Sequence, residues 1–473
     1  MRIGNWVVMA LVVISAGGCA QFHPHPLSPA KTVEAFGGRS LGNPALRAFM
    51  EKNKVSAPGV GEAWNLKALT LAAFYYQPGL AEARVKLLAA RAGEITAGER
   101  PNPSIAVTPS YDSGIPGNFS PWLVPLTLDW PIETAGKRGY RLAKARHLRE
   151  EARWNLVGAV WRVRSVLRTA LVDLYAAKGT ETLLARQAGA QSRVVRMLEG
   201  QVAAGVLSSY EVTRAQIALD TTILARQATV GRYNQACIAL AEALGVPTGA
   251  LKGVKLCFAD MKTFPKGLTE SRVRQRALFN RADVRSALAA YAASQSELQL
   301  QIANQYPDIH LGPGYAWNNG NAGDNQWILG PTLTLPVLNQ NQGPIAQAKA
   351  DRKLAAAHFL TVQLSALSRI DSALAAYESA LREVLTAEGL LKNLRRRLAS
   401  VRAQVQAGEA EPLALANAEV AFNAGARDRL NALIKAQQAL GRLEDAVQSP
   451  LTLSPPALHA ARTAHTTDED LKK

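Results

Sequence analysis

A mainly α-helical fold carrying a small amount of membrane-spanning β structure is what this sequence predicts, and three observations predict it. Landmarks recur in order along the chain: Asn102-Pro103-Ser104-Ile105 with Tyr306-Pro307-Asp308-Ile309, Pro125–Pro131 with Pro331–Pro336, and Gln201–Gly205 with Gln404–Gly408. Their offsets are 204, 205 and 203 residues, nearly constant. Stretches without proline run far beyond the length of an ordinary helix, and between them lie four short segments of period-two alternation. The fold class is therefore a duplicated helix–strand–strand–long helix–helix unit, two similar halves of one elongated molecule. A solenoid is disfavoured, since its repeats are shorter and more numerous.

Composition agrees. Of the 473 residues 48% are hydrophobic, enough to exclude disorder for most of the chain, and the apolar share is mostly Ala and Leu, which favour helices. Three cysteines exclude a disulfide scaffold. One long uncharged apolar run, at the N-terminus, excludes a multi-pass helical membrane protein. The net charge of +17 suggests acidic partners without naming them. No nucleic acid is expected, because the chain carries an export signal and its Lys and Arg are scattered.

From the N-terminus, residues 1–18 show Arg2, the apolar run Trp6–Ile14 and then small residues, the order of a secretory signal peptide. Ala16-Gly17-Gly18-Cys19 resembles a bacterial lipobox, with Ala at 16 where Leu is usual, so Cys19 is the expected lipidation site. Ala20 follows, not an Asp that would suggest inner-membrane retention. Residues 19–61 form an N-terminal lipid-anchored segment and 62–245 the first repeat. A linker covers 246–268, the second repeat 269–447 and a flexible tail 448–473. Cys237 and Cys257 are open to pairing in an oxidising compartment or to burial as free thiols.

In the first repeat the expected helices are Glu62–Gly98, Lys137–Ala204 and Ser208–Leu244; in the second, Thr269–Gln305, Ile345–Ala407 and Pro412–Val447. At 1.5 Å per residue Lys137–Ala204 is roughly 100 Å long, so it needs a neighbour along its whole length. Leu156, Val160, Val163, Leu167, Leu171 and Leu174 recur at three- and four-residue steps as a packing stripe. Gly205 and Gly408 end the long helices.

Among the strands, Trp122, Val124, Leu126, Leu128 and Trp130 share one face, opposite Leu123, Pro125, Thr127 and Asp129. Trp327, Leu329, Leu333 and Leu335 likewise alternate with Ile328, Gly330, Thr332 and Thr334. Their partners are Ile105, Val107 and Tyr111, then Ile309, Leu311, Tyr315 and Trp317. Each segment is about nine to eleven residues, the length of a tilted transmembrane strand, with aromatics at its ends. The loops Ser113–Ser120 and Asn318–Gln326 are rich in Gly, Asn and Asp. A soluble sheet with one buried face alternates in the same way. The export signal and the lack of an amphipathic helix to cover the sheet weigh against that. Four strands cannot close a barrel and an open edge in lipid is prohibitive, so if the strands span a membrane the chain must oligomerise to close it; a trimer would supply twelve strands, within the usual even-numbered range.

The lipobox, the duplicated halves and the Gly-marked turns together resemble the TolC-like outer membrane efflux family, over roughly 43–447. The most specific match is Trp130-Pro131-Ile132-Glu133-Thr134-Ala135-Gly136-Lys137-Arg138. It is similar to the strand-to-helix signature of the cobalt–zinc–cadmium (CzcC-like) subgroup, as is Arg100-Pro101-Asn102-Pro103. Trp130 departs from the usual Gln, and Thr134-Ala135 from Leu-Gly. The resemblance implies a homotrimer, with a 12-stranded β-barrel in outer membrane lipid and a long α-helical barrel across the periplasm. It also implies a periplasmic adaptor (membrane fusion) protein and a proton-driven inner-membrane pump of the resistance–nodulation–division type. Adaptor docking would fall on the hairpin tips, Gly205, Val206, Leu207 and Ser208 with Gly408, Glu409, Ala410 and Glu411. The lipid-facing residues would be Trp122, Val124, Leu126, Leu128, Trp130, Trp327, Leu329, Leu333 and Leu335.

No Walker loop, GxSxG, HExxH or paired-Cys motif occurs, so neither an enzyme nor a cofactor or resident metal is expected. His310 falls on a strand; His147 and His358 fall on helices. Asp129 and Glu133 lie near the strand–helix junction, and Arg395-Arg396-Arg397 reads as a solvated face. Asp220, Glu409, Glu411 and Glu419 are candidate gate carboxylates. The expected function is a passive exit duct for heavy-metal cations. The alternatives are a duct for drugs or other small organic molecules, and a non-conducting periplasmic coiled-coil lipoprotein scaffold.

Overall fold

A computed structural model describes residues 21–59, 61–111, 113–114, 121–265, 281–318 and 326–451. The signal peptide 1–18, Cys19, most of both strand loops, the start of the helix expected at 269 and nearly all of the tail lie outside the described residues.

Two very long helices dominate. The N-terminal segment holds α1 (Pro29–Gly37) and α2 (Pro44–Lys52); in the first repeat, β1 (Ala63–Trp64), α3 (Leu66–Tyr76) and α4 (Pro78–Gly98) precede β2 (Ser104–Val107), β3 (Ser110–Tyr111) and β4 (Trp122–Ile132). Then come α5 (Lys137–Ala203) and α6 (Ser209–Leu244). A short segment with β5 (Lys255–Leu256) leads to α7 (Ala282–Ala303), β6 (Ile309–Asn318), β7 (Gln326–Leu333), α8 (Gln342–Gln406) and α9 (Pro412–Val447). The 67-residue α5 and the 65-residue α8 end within a residue of the expected stops.

Four expectations on element bounds are corrected. The helix expected over Thr269–Gln305 is not continuous: Arg281 is extended (φ −67°, ψ 120°), its guanidinium held by the Ala446 carbonyl and Asp283, and α7 starts at Ala282. The single helix Glu62–Gly98 is two, because Pro78 has no N–H to continue α3 and instead takes the first position of α4. Gln77 holds that corner, its Nε2 donating to the carbonyls of Glu242 (2.6 Å) and Ala243 (2.8 Å). The first strand of the sheet is interrupted between β2 and β3 at Thr108-Pro109, where the proline has no ladder donor. Finally, β7 has 8 residues and stops before Leu335, because its partner β6 begins at Ile309, opposite Leu333.

Among the described residues, both edges of the sheet are unpaired within the chain. β4 pairs antiparallel with β2 and β3 on one side and with β6 on the other, and β6 pairs with β7. The central pair, β4 with β6, thus joins the first repeat to the second.

The core lies at mid-height along the long helices. Leu46, Met50, Leu69, Phe74, Leu167, Leu171, Leu240 and Leu244 form one cluster, in which the N-terminal helices and Met261 thicken the wall around the middle of α5. A smaller cluster joins α8 to α9 through Ile370, Leu374, Tyr377, Leu440, Leu443 and Val447. Much of the α8–α9 seam is alanine (Ala373, Ala380, Ala432, Ala436, Ala439), which leaves room for a close helix approach. The linker is packed: β5 pairs in parallel with β1, Ala63 opposite Lys255 and Trp64 opposite Leu256. Cys237 and Cys257 are free thiols.

Candidate functional site

The ladder registers sort the sheet into two faces. Side chains opposite each other in an antiparallel ladder point the same way. Ile105, Val107, Tyr111, Trp122, Val124, Leu126, Leu128, Trp130 and Ile132 therefore share a face with Ile309, Leu311, Tyr315, Trp317, Trp327, Leu329 and Leu333. All but Leu128 and Tyr315 are exposed, from Leu311 at 36% to Trp327 at 84%. Tyr111 meets Trp122 edge-on at 5.1 Å between centroids, and Tyr315 meets Trp327 at 5.0 Å. Both pairs sit at the loop end, while Trp130 stands at the helix end. A contiguous apolar face of this kind is unfavourable in water. Leu335, expected on this face, is exposed beyond the end of β7.

The opposite face is small and polar: Ser104, Ala106, Thr127, Asp129, Gly312, Gly314, Ala316, Gln326, Gly330 and Thr332, with Leu123 and Ile328 as its large apolar members. Gly314 has no room for more, since a Cβ there would lie 3.0 Å from Thr127 Cγ2 and 3.2 Å from the Leu126 carbonyl. His310 Nδ1 is 3.0 Å and 3.1 Å from the two carboxylate oxygens of Asp129.

Below the sheet, the signature-like stretch makes the strand-to-helix turn and ties it to the other repeat. Ala135 and Gly136 both take positive φ (52° and 72°), reversing the chain into α5. The Thr134 amide donates to Asp308 Oδ1 (2.9 Å), its hydroxyl donates to the Pro307 carbonyl (2.6 Å), and Lys137 Nζ reaches Asp308 at 2.8 Å. Burial pushes the Asp308 carboxyl up, but the Lys137 ammonium and the Thr134 N–H outweigh it and hold it below the usual range. Glu133 is paired with Arg141. In the second repeat Asn341, with φ 61°, makes the equivalent turn, its Nδ2 donating to the Gln301 carbonyl (2.7 Å).

At the far end the two hairpin tips share a backbone and differ in chemistry. Gly205 and Gly408 take φ of 72° and 79°, and the 2.9 Å bonds Val206 N–Gln201 O and Glu409 N–Gln404 O close the same turn. The first tip exposes Val206 (70%), Leu207 and Tyr210, and Ser208 Oγ caps α6 by accepting from the Tyr210 amide at 3.1 Å. The second carries Glu409 and Glu411, with Pro412 opening α9. A groove of about 330 Å³ between them is lined by Met197, Gln201, Val206, Glu411 and Leu413. Of the candidate gate carboxylates, Glu419 is ion-paired with Arg193 and Arg402, while Asp220 accepts from Gln216.

Sequence reasoning missed a buried ionic clasp between α5 and α9. Arg164 and Arg168 bind Glu444 at 3.0 Å and 3.5 Å, and Arg168 also donates to the Gln437 carbonyl and side chain (2.8 Å each). Asp445 accepts from Trp161 (2.9 Å) and Ser165 (2.6 Å). Two arginines four residues apart inside an apolar stripe were the available sign, since unpaired they could not be buried there.

The fold and these surfaces define a class: a duplicated helical-hairpin protein carrying a membrane-type β-sheet. The chain belongs to the outer membrane efflux protein family, which matches residues 75–246 and 273–447. The cobalt–zinc–cadmium resistance protein CzcC of Cupriavidus metallidurans is 25% identical over 246 residues. That match covers 50% of this chain, and the chain spans about half the length (55%) of that relative. The fold is shared with outer membrane protein VceC of Vibrio cholerae, at TM-score 0.66 and 18% identity, over 82% of this chain and 96% of that one. It is shared also with the CmeC outer membrane channel of Campylobacter jejuni, at TM-score 0.65 and 15% identity, over 96% and 97%.

Proposed function

We propose that three copies of this chain form a passive exit duct of a tripartite efflux system. The observation that carries this reading is the sheet. It is four strands wide, apolar on one face and exposed there at all but Leu128 and Tyr315, small and polar on the other, and unpaired at both edges among the described residues. In lipid such edges must close, and three copies give a twelve-stranded barrel whose apolar face meets the acyl chains and whose small face lines the lumen. Trp122, Val124, Leu126, Leu128, Trp130, Trp327, Leu329 and Leu333 are then lipid-facing, with Leu335 at the rim. The long helices continue the lumen through the periplasm, and a lipid on Cys19 anchors the N-terminal segment in the same membrane. The hairpin tips, Gly205–Ser208 and Gly408–Glu411, dock the periplasmic adaptor of a proton-driven pump. A coiled-coil scaffold gives no account of the apolar sheet face.

Heavy-metal cations are the cargo this reading favours, on the likeness to the cobalt–zinc–cadmium resistance protein. Selection belongs to the pump, so the duct's part is to conduct. The test has two arms. Purified protein should produce ohmic steps of current in planar bilayers; a soluble, non-conducting monomer after removal of the lipid anchor contradicts the duct. A deletion strain should be more sensitive than its parent to zinc, cobalt or cadmium. Equal sensitivity to metals with greater sensitivity to drugs would reassign the cargo.

A further inference from the structure

On the proposed lumen face, Asp129 and His310 are the only ionisable side chains among the described strand residues. They sit at the helix end of the sheet, on adjacent strands β4 and β6. Their neighbours on that face, Gly312, Gly314 and Gly330, have no side chains to cover them, and the two side chains are 40% and 48% exposed. Nearby, Lys137 pairs with Asp308, whose carboxylate also feels His310, and Glu133 pairs with Arg141. Asp129 meets His310 through Nδ1. A carboxylate on Nδ1 fixes the ring, places the ring proton on that nitrogen and leaves the lone pair on Nε2.

Resting on the duct reading above, we propose that Asp129 and His310 form a transit site for borderline divalent transition-metal cations, one per protomer, where the barrel meets the helices. His310 Nε2 is the ligand, and Asp129 positions the ring and raises its basicity. Imidazole suits zinc, cobalt and copper and is a poor ligand for magnesium. Among the described residues no group of three or more His, Cys, Asp or Glu could hold a metal ion, so water must complete the coordination. That incompleteness suits a pathway: a site that fills readily must also empty readily.

Single-channel recording of the full-length protein in planar bilayers, with zinc chloride added to a potassium chloride bath, tests this. Each protein is compared with its own zinc-free conductance. Wild type should show a zinc-dependent reduction of current that magnesium chloride does not reproduce. His310→Ala should raise the half-blocking zinc concentration about 10-fold or more, and Asp129→Asn should raise it by a smaller factor. His310→Gln serves if the alanine variant does not assemble. Zinc block within twofold of wild type in both His310 variants, or equal block by magnesium, overturns the site while leaving the duct intact. A wild-type protein that never conducts overturns the duct, and the transit site with it.

Discussion

The inner and outer seams of this molecule are built on different chemistry. Inside the chain, the two repeats meet along β4–β6 and along α5–α9, with ladder hydrogen bonds in the sheet and the clasp of Arg164, Arg168, Glu444 and Asp445 among the helices. Among the described residues, the equivalent outer elements, β2 and β7 in the sheet and α6 and α8 among the helices, have no such packing on each other within the chain. Instead α6 exposes Ile217 (63%), Leu224 (67%) and Ile238, and α8 exposes Leu354 (70%), Leu364 and Leu385. One seam is closed and internally neutralised; the other is open and apolar in both sheet and helices. On the proposed duct, a chain with two complementary open edges is one segment of a ring, and closing the ring between copies would repeat outside what β4–β6 and α5–α9 do inside.

Substitutions on the two seams should therefore fail differently. The largest effect is expected on the inner seam. Glu444→Ala leaves Arg164 and Arg168 buried without their counter-ion, a loss of about 3–5 kcal/mol. It should appear in thermal unfolding as a lower midpoint for the protomer itself. On the outer seam, Leu224→Glu combined with Leu364→Glu should leave the helical content by circular dichroism unchanged and abolish assembly in native gels. If both classes of variant unfold the chain, the seams do not differ as described.

A smaller effect is expected where the sheet hands over to the helices. Asp308 has its pKa lowered in the folded state, so its contribution is present above the unfolded value of about 3.9 and is lost as pH falls through the folded pKa. Acid should loosen the α5 junction below about pH 4, and Asp308→Asn should flatten that dependence; hydrogen exchange at Thr134–Arg141 is the readout. The smallest effect is at the tips. Gly205→Ala meets no neighbouring atom but must hold φ 72°, costing about 1 kcal/mol. On the proposed docking of an adaptor at the tips, it should lower adaptor affinity in a pull-down more than it lowers the unfolding midpoint.

Much of this architecture was legible in the sequence because it is periodic. The duplication, the stops at Gly205 and Gly408 and the alternation from Trp122 to Trp130 are patterns visible in the sequence itself, although the alternation alone fits a soluble sheet as well as a membrane one. What was not legible depends on tertiary partners. The corner at Pro78 needs Glu242 and Ala243 to receive Gln77, and the end of β7 at Leu333 is set by where β6 begins. The Asp129–His310 pair joins residues 181 apart in the chain, so neither residue alone distinguishes a site from a solvated side chain. The two tips show the same division: the turn geometry follows from glycine, whereas Val206 and Leu207 against Glu409 and Glu411 become a contrast only when the tips stand side by side.

The proposed duct rests on one stoichiometry, three chains closing the open outer seam. Native mass spectrometry of the protein released from detergent micelles measures it directly. Three chains per particle, surviving in wild type and collapsing to single chains in the Leu224→Glu, Leu364→Glu variant, is the predicted result. A stable, folded single chain in wild type at micromolar concentration would contradict the account.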